Sequence, residues 1–503
     1  MNNISDIILE LTTEEQQRFV NYLEKNNKRN DTKNIQLFKL LASNEFSSKE
    51  ICNKLYEGTN RNAYHALRKR LYQSLIDFVA NVSLEEENSI DMQIIKYILA
   101  SRAFLHQGQF RVAYNILNKA ETLANEHNLF ALLSEIYHTQ IQYSYSYKEL
   151  DIDNLISKFQ DNQKNHHLEN QLNIVYAKIR QTLNKISFKG EVVDFQNILN
   201  NALREYNIDI NESLSFKSLY QLMTIVSISA FVTNDYLQIE PFLLNTYQSI
   251  QDHKHKEKQL YYHIHVVYII ANTLFRNKKF NESLDFLQQM DILMEEKKKK
   301  HFNDYILKYN RLLALNLNYS NNQELAIETL VPIYNKNHSD LESLLNINLS
   351  LITFYFQKGD FKKAHNVFSK LYHTDQWYMQ KAGVEWVIKK SLIEILLHIE
   401  LQNIDLVESR IASFKRSHFR YLKSIDQDRA ITYLLLIESY YKNPEKASQT
   451  KYRNKIESSF EWIGPVKEDI FVMSFYAWLK SKVEGTELYA TTLNLIRSSQ
   501  IVN

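Results

Sequence analysis

Three stretches of the 503-residue chain repeat one spacing of apolar and small side chains. The first runs Tyr97, Ser101, Phe104, Gly108, Phe110, Ala113, Leu117, Ala120. The second runs Val267, Ala271, Leu274, Lys278, Phe280, Ser283, Leu287, Met290, and the third Asn348, Ile352, Tyr355, Gly359, Phe361, Ala364, Phe368, Leu371. Intervals of three and four put these residues on one helix face, and the pattern breaks at Gly108, Lys278 and Gly359 before it resumes. Such a hairpin leaves an apolar face bare, and the next hairpin in the chain must cover it. The spacing therefore predicts stacked hairpins presenting an extended binding surface, not a closed core around one catalytic pocket.

Turn formers are scarce: there are 7 Gly and 4 Pro, the latter at 241, 332, 444 and 465. A β-rich or loop-rich fold needs many more, so the chain is expected to be all-α. No Pro/Gly/Ser-rich linker interrupts it, and continuous stacking accounts for the length better than separate domains. Polar turns fall near Gly108, Leu150, Gly190, Asn234, Lys278, Asn321, Gly359, Asn403 and Asn443. They recur about every 40 residues and imply roughly nine hairpins. Gly and Asn suit these sites because both tolerate the left-handed backbone that ends a helix.

In each repeat a small residue (Ser101, Ala271) or Ile352 sits where two helices cross. An aromatic or Leu follows three positions later, and Ala113, Ser283 or Ala364 opposes it from the second helix. The pieces LHQGQFRVAYNILNKA, LFRNKKFNESLDFLQQM and FYFQKGDFKKAHNVFSKLY resemble the tetratricopeptide repeat family, with partial matches over residues 227–243 and 314–333. The units are longer than the family's repeat, the proline that closes each one is missing, and Pro241 and Pro332 fall within predicted second helices, where each should kink or restart the helix. The resemblance implies a right-handed α-solenoid over residues 90–465. Residues 466–503, with the apolar run DIFVMSFYAWLKSK, would form a C-terminal capping hairpin.

Residues 1–85 read as a separate helical unit. Thr12 with Glu15 and Ser47 with Glu50 have capping-box spacing, Leu67, Leu71, Leu75 and Phe78 line one face of a long third helix, and Glu85 to Glu87 mark the hinge into the repeats. That third helix carries Arg61, His65, Arg68, Lys69 and Arg70. A short helix followed by a basic one outlines a helix-turn-helix DNA reader, and a cap for the solenoid has the same outline. Residues 1–80 hold 12 Lys/Arg against 10 Asp/Glu. That surplus is small when each neutralised phosphate needs its own cation.

The resemblance also implies that the first helix of each hairpin lines the concave surface. By register its inward residues are Arg102 and His106; His265, Tyr268, Asn272 and Arg276; Lys308, Arg311 and Asn318; and Asn346. Guanidinium and amide groups fixed on rigid helices suit the carboxylates and backbone of a peptide, so the expected partner is a protein or peptide, acidic in character.

Other function classes find little footing. Lys+Arg 60 against Asp+Glu 58 leaves no global field for nucleic acid or anionic membrane. The single Cys52 sits in an apolar helix face with Ile51 and Leu55 and reads as a buried structural thiol. His253/His255 and His263/His265 are spaced by two, which points helical neighbours to different sides, so no metal is expected. Tyr143, Tyr145 and Tyr147 read as a frayed helix end rather than a strand, and Lys297 to Lys300 as a solvated turn. No nucleophile elbow, dinucleotide fingerprint, P-loop or zinc-protease motif occurs, so neither catalysis nor a cofactor is expected. The N-terminus lacks a basic n-region with an apolar core, and apolar runs are too short to cross a bilayer, so a cytoplasmic protein without membrane contact is expected. The expected function is an interaction scaffold or adaptor, and the alternative is a transcriptional regulator with an N-terminal DNA-binding domain and a repeat sensor.

Overall fold

The computed structural model describes the chain except residues 1–3, 5–6, 9–10, 12, 27–32, 44–45, 57–59, 87–89, 186–196, 198–200, 202–203, 206–215, 234, 252–258, 337, 339, 426, 446–449, 460–467 and 501–503. The described residues form 23 α-helices, one 3-10 turn at Ser144–Ser146 and no strand. All-α is thus the fold class, as the shortage of Gly and Pro requires. Contacts divide the chain into two compact units: residues 1–125 with 129–159, and residues 126–128 with 160–503.

The first unit holds α1 (Thr13–Asn26), α2 (Lys33–Ala42), α3 (Ser48–Tyr56), α4 (Arg61–Glu86), α5 (Ile90–His106), α6 (Phe110–Glu126) and α7 (Phe130–Gln142), and ends within α8 (Ile152–Asn184). Helices α1 to α4 close around Phe19, Leu37, Phe38, Ile51, Leu67, Leu71 and Leu75, all essentially inaccessible. Cys52 is buried in that core. At the start of α3 the Ser47 N–H donates to Glu50 Oε2 at 2.7 Å and the Glu50 N–H to Ser47 Oγ at 3.4 Å, the reciprocal box read from sequence. Thr12 of the other expected box lies outside the described residues. Helix α4 runs through Glu85 and Glu86, so the acidic stretch extends a helix there. Tyr143, Tyr145 and Tyr147 follow α7 in the 3-10 turn. Tyr147 stacks on Tyr114 at 4.4 Å and Tyr145 points to solvent.

The second unit continues with the rest of α8, α9 (Phe216–Thr233), α10 (Glu240–Gln251), α11 (Leu260–Arg276), α12 (Phe280–Lys299), α13 (Phe302–Tyr319), α14 (Gln323–Leu330), α15 (Leu341–Gln357) and α16 (Phe361–Phe368). It then holds α17 (Asp375–Ala382), α18 (Val384–Glu400), α19 (Ile404–Ser424), α20 (Asp428–Lys442), α21 (Thr450–Ser459), α22 (Ile470–Glu484) and α23 (Leu488–Gln500). Chain neighbours pair as α11/α12, α13/α14, α15/α16, α18/α19 and α22/α23, and the first helices touch in succession, α9 to α11 to α13 to α15 to α18.

One turn recurs between paired helices. Gly108, Lys278, Asn321, Gly359 and Gln402 all have positive φ, between 58° and 79°. In each case the next residue's N–H reaches back five positions, Gln109 to Phe104, Lys279 to Leu274, Asn322 to Leu317, Asp360 to Tyr355 and Asn403 to His398, at 2.9–3.0 Å. This left-handed cap satisfies carbonyls that a helix end leaves bare, and the second helix starts within two residues. Asn128 and Gly485 close α6 and α22 in the same way. The expected turns at Gly190 and Asn234 lie outside the described residues, and Asn443 ends α20 with negative φ. Lys297, Lys298 and Lys299 also have positive φ and break the helix, as a lysine turn should.

Small residues occupy the crossings. Ala113, Ser283 and Ala364 are fully buried, and Ser283 Oγ donates to the Ala271 carbonyl at 2.7 Å while accepting from Asn316 Nδ2 at 3.0 Å. The close approach of α11 and α12 is thus polar as well as steric. Pro241 enters the first turn of α10, where its missing N–H costs nothing, and Pro332 follows the last residues of α14.

The C-terminal pair α22/α23 bonds to α11, α13 and α18 of the second unit. Asp469, the N-cap of α22, is ion-paired with Arg276 of α11. Ser474 Oγ meets Tyr319 Oη of α13 at 3.0 Å, Trp478 Nε1 donates to Glu400 of α18 at 2.5 Å, and Tyr489 Oη donates to the Asn318 carbonyl at 2.6 Å. The hairpin lies across first helices far earlier in sequence.

Candidate cationic cavity

Where α22 crosses these helices, a cavity of about 810 Å³ opens between α8, α9, α11, α13, α15, α18 and α22. Three of the residues picked by register, Arg276, Arg311 and Asn346, line it together. They sit near the C-terminus of α11, in mid α13 and in the first half of α15, so three stacked first helices each contribute one donor group.

Arg276 is committed. It holds Asp469 in an ion pair in which each side chain is 16% exposed, and its guanidinium lies 5.3 Å from the Phe471 ring and 5.6 Å from the Tyr236 ring. Burial acts to lower its pKa, but Tyr236, Asp469 and Glu385 outweigh that and hold it above the ordinary arginine value. Lys389 is also paired, to Glu385 at 2.5 Å, with its ammonium 4.8 Å from the Phe471 ring. Phe471 therefore has two cations within reach of its ring.

Arg311 differs. No hydrogen bond or ion pair reaches it among the described residues, and its Nε is buried without a partner. Desolvation and the neighbouring charge of Arg276 press its pKa down against the pull of Tyr268, Glu342 and Glu385. Arg180, near the end of α8, lines the same cavity and is likewise without a described carboxylate partner. Glu342 lines the same cavity, its carboxyl pushed above the ordinary range by desolvation and by Asp340 against the pull of Lys308, Arg311 and Arg180. The donor excess extends into the wall: Gln357 Nε2 and Trp386 Nε1 are buried without acceptors. A space lined by surplus donors suits an acceptor-rich, negatively charged occupant.

The remaining register positions distribute as follows. Lys308 stands 5.8 Å from the Tyr305 ring beside His265. His265 packs edge-on to Tyr220 at 5.0 Å and Tyr305 at 6.0 Å, and burial, with Lys308 and Arg180 adding, pushes it down to about 3, so the ring is neutral at pH 7. Tyr268 adjoins Arg311 and Arg276, and Asn272 is half-buried on α11. Asn318 is fully buried, donating to Gln357 Oε1 at 2.9 Å, so its amide ties α13 to α15 instead of facing open space. Arg102 pairs with Glu135 and His106 meets Tyr143 edge-on at 6.5 Å, both within the first unit.

Register did not single out Arg180, Glu342, Glu385, Lys389 or the phenyl rings Phe231 and Phe471. Glu342 precedes Asn346 by one helical turn, and Glu385 precedes Lys389 by one turn, so those two pairs carried a readable signal. Arg180 did not, because α8 is a 33-residue helix outside any hairpin repeat.

On the N-terminal bundle, Tyr64, Leu67 and Leu71 turn α4 toward the core, which leaves Arg61, His65, Lys69 and Arg70 exposed. Arg68 bonds Ser48 Oγ of α3 at 3.3 Å. Among the described residues no helix is long and apolar enough to cross a membrane. Compared with protein-family models, with curated proteins and with solved structures, the chain matches none.

Proposed function

We propose that this chain is a non-catalytic interaction scaffold, a tetratricopeptide-like solenoid whose stacked first helices hold an acidic segment of a partner protein. The observation that carries this reading is the pair Arg311 and Arg180, two guanidiniums on a cavity wall without a carboxylate partner among the described residues. Arg180 is exposed, but for Arg311, whose Nε is buried, an unmatched charge is costly and a ligand carboxylate offsets that cost on binding. The stacked pairs and their repeated left-handed turns favour a rigid receptor, which meets little ordering cost when it binds. A role without chemistry fits the lining. The hydroxyls of Ser350, Thr353 and Ser474 donate to carbonyls one turn back in their own helices, and among the described residues no His or Cys lines the cavity.

The test is fluorescence anisotropy with the full chain and a capped oligoglutamate peptide. Binding should weaken at least tenfold in Arg180→Met/Arg311→Met and fall with salt. Undetectable binding, or equal binding by the variant, overturns the reading. The second reading, a DNA-binding regulator, draws on the exposed row Arg61, His65 and Lys69 along α4 beside the short α3. A gel shift on random duplex at low salt decides it, since absence of any shift removes the basis for phosphate contacts.

A further inference from the structure

Resting on the acidic-segment reading, we infer a narrower ligand: a segment in which an acidic residue is followed two positions later by an aromatic one. The cavity already contains one example of that pattern. Asp469, in extended backbone before α22, gives its carboxylate to Arg276. Two residues on, Phe471 brings its ring to both Arg276 and Lys389, at 5.3 and 4.8 Å. The chain's own acid–x–aromatic element thus satisfies one guanidinium by ion pairing and by its ring face together.

The same cavity offers such parts a second time. Arg311 and Arg180 are the cations, and Phe231 of α9, 39% exposed and lining the same cavity, is the apolar platform. A phenyl ring open to water at that level in a cavity wall is a natural seat for an aromatic side chain. The space, about 810 Å³, is of the size that encloses a few residues of extended chain and not a folded domain. A carboxylate shared by Arg311 and Arg180 with a ring on Phe231 reproduces the Arg276–Asp469–Phe471 arrangement in trans.

The experiment uses the full chain and three fluorescein-labelled short peptides, blocked at both ends and embedded in Gly/Ser flanks: Asp-Leu-Phe, Asn-Leu-Phe and Asp-Leu-Ala. The first should bind at least tenfold more tightly than either of the others. Arg311→Met should erase the preference for aspartate over asparagine. Phe231→Ser, at an exposed position where folding is spared, should erase the preference for phenylalanine over alanine. Equal binding of Asp-Leu-Phe and Asp-Leu-Ala overturns the aromatic requirement and leaves the general acidic reading standing. Absence of binding by both aspartate peptides overturns the two together, and a Phe231→Ser protein that still prefers phenylalanine overturns the assignment of the platform.

Discussion

Replacing Asp469 with asparagine removes one charge from the link between α11 and the C-terminal hairpin while keeping the side-chain oxygen that accepts the Phe471 N–H at 2.8 Å. Both Arg276 and Asp469 side chains are 16% exposed, so the arginine left behind is largely desolvated. Breaking a pair at that depth costs about 3–5 kcal/mol, whereas an exposed pair is worth at most ~1 kcal/mol. Asp469→Ala should cost about 1 kcal/mol more, because the helix cap goes too. Arg276→Met combined with Asp469→Asn should recover most of the loss, since no charge is then stranded, and the resulting double-mutant cycle isolates the coupling. All four tryptophans lie at or beyond residue 377, within the second unit, so tryptophan fluorescence in urea reports on the unit in question. The acid limb provides a second readout. Burial acts to raise the Asp469 carboxyl, yet Arg276 and Lys389 hold it below the ordinary value. The unfolded chain therefore takes up this proton first, so the contribution is complete above about pH 4 and is lost as pH falls through the folded value. The asparagine variant should lack that component. A loss below about 1 kcal/mol for Asp469→Asn, or no recovery in the double variant, refutes a buried and coupled pair.

Gly359, at φ 79°, has open space where a Cβ would sit, so Gly359→Ala should cost only the backbone term of about 1 kcal/mol, while Gln402→Gly at φ 58° should gain up to about 1 kcal/mol; urea midpoints moving in the same direction would contradict the turn assignment. Ser283→Ala strips the Ala271 carbonyl and Asn316 of a shared hydroxyl and should cost about 1–3 kcal/mol, with a neutral result showing that the crossing is purely steric. His265 titrates near 6.5 when unfolded and at about 3 when folded, so stability should be flat above pH 6.5 and fall as pH drops from there toward 3; His265→Phe should flatten that limb in thermal melts from pH 7 to 4.5, and an unchanged slope assigns it elsewhere.

The hairpins were readable because a turn and a helix face impose local rules. Gly108 and Gly359 announce left-handed caps by residue type, whereas Lys278 and Gln402 adopt the same backbone without announcing it, and only the 40-residue rhythm located Lys278. Asn403 stood in the expected list one position beyond the residue that takes the left-handed conformation, a displacement within the usual uncertainty of helix ends. The crossings at Ala113, Ser283 and Ala364 were legible for the same local reason, since only small side chains permit close approach. Asn318 was misleading because a helix has two partly inward flanks, and register alone does not say whether an amide meets open space or Gln357 of the next helix.

The cavity was half legible, and the division follows sequence distance. Arg276, Arg311 and Asn346 reach one cavity because successive first helices turn the same face inward, although the three stand two, ten and thirteen residues before the left-handed turn residue that follows each helix. Arg180, Lys389 and Phe471 reach the same space from a long unrepeated helix, from the α17–α18 segment and from the far end of the chain. No periodicity links position 276 to position 469. The pairing rests on complementary charge and on the fit of one helix across others, neither of which leaves a spacing in the sequence. Once α22 lies there, its acid and its ring engage Arg276 while Arg311 keeps no ion pair among the described residues, and that asymmetry between two arginines of one cavity is the basis of the ligand site proposed above.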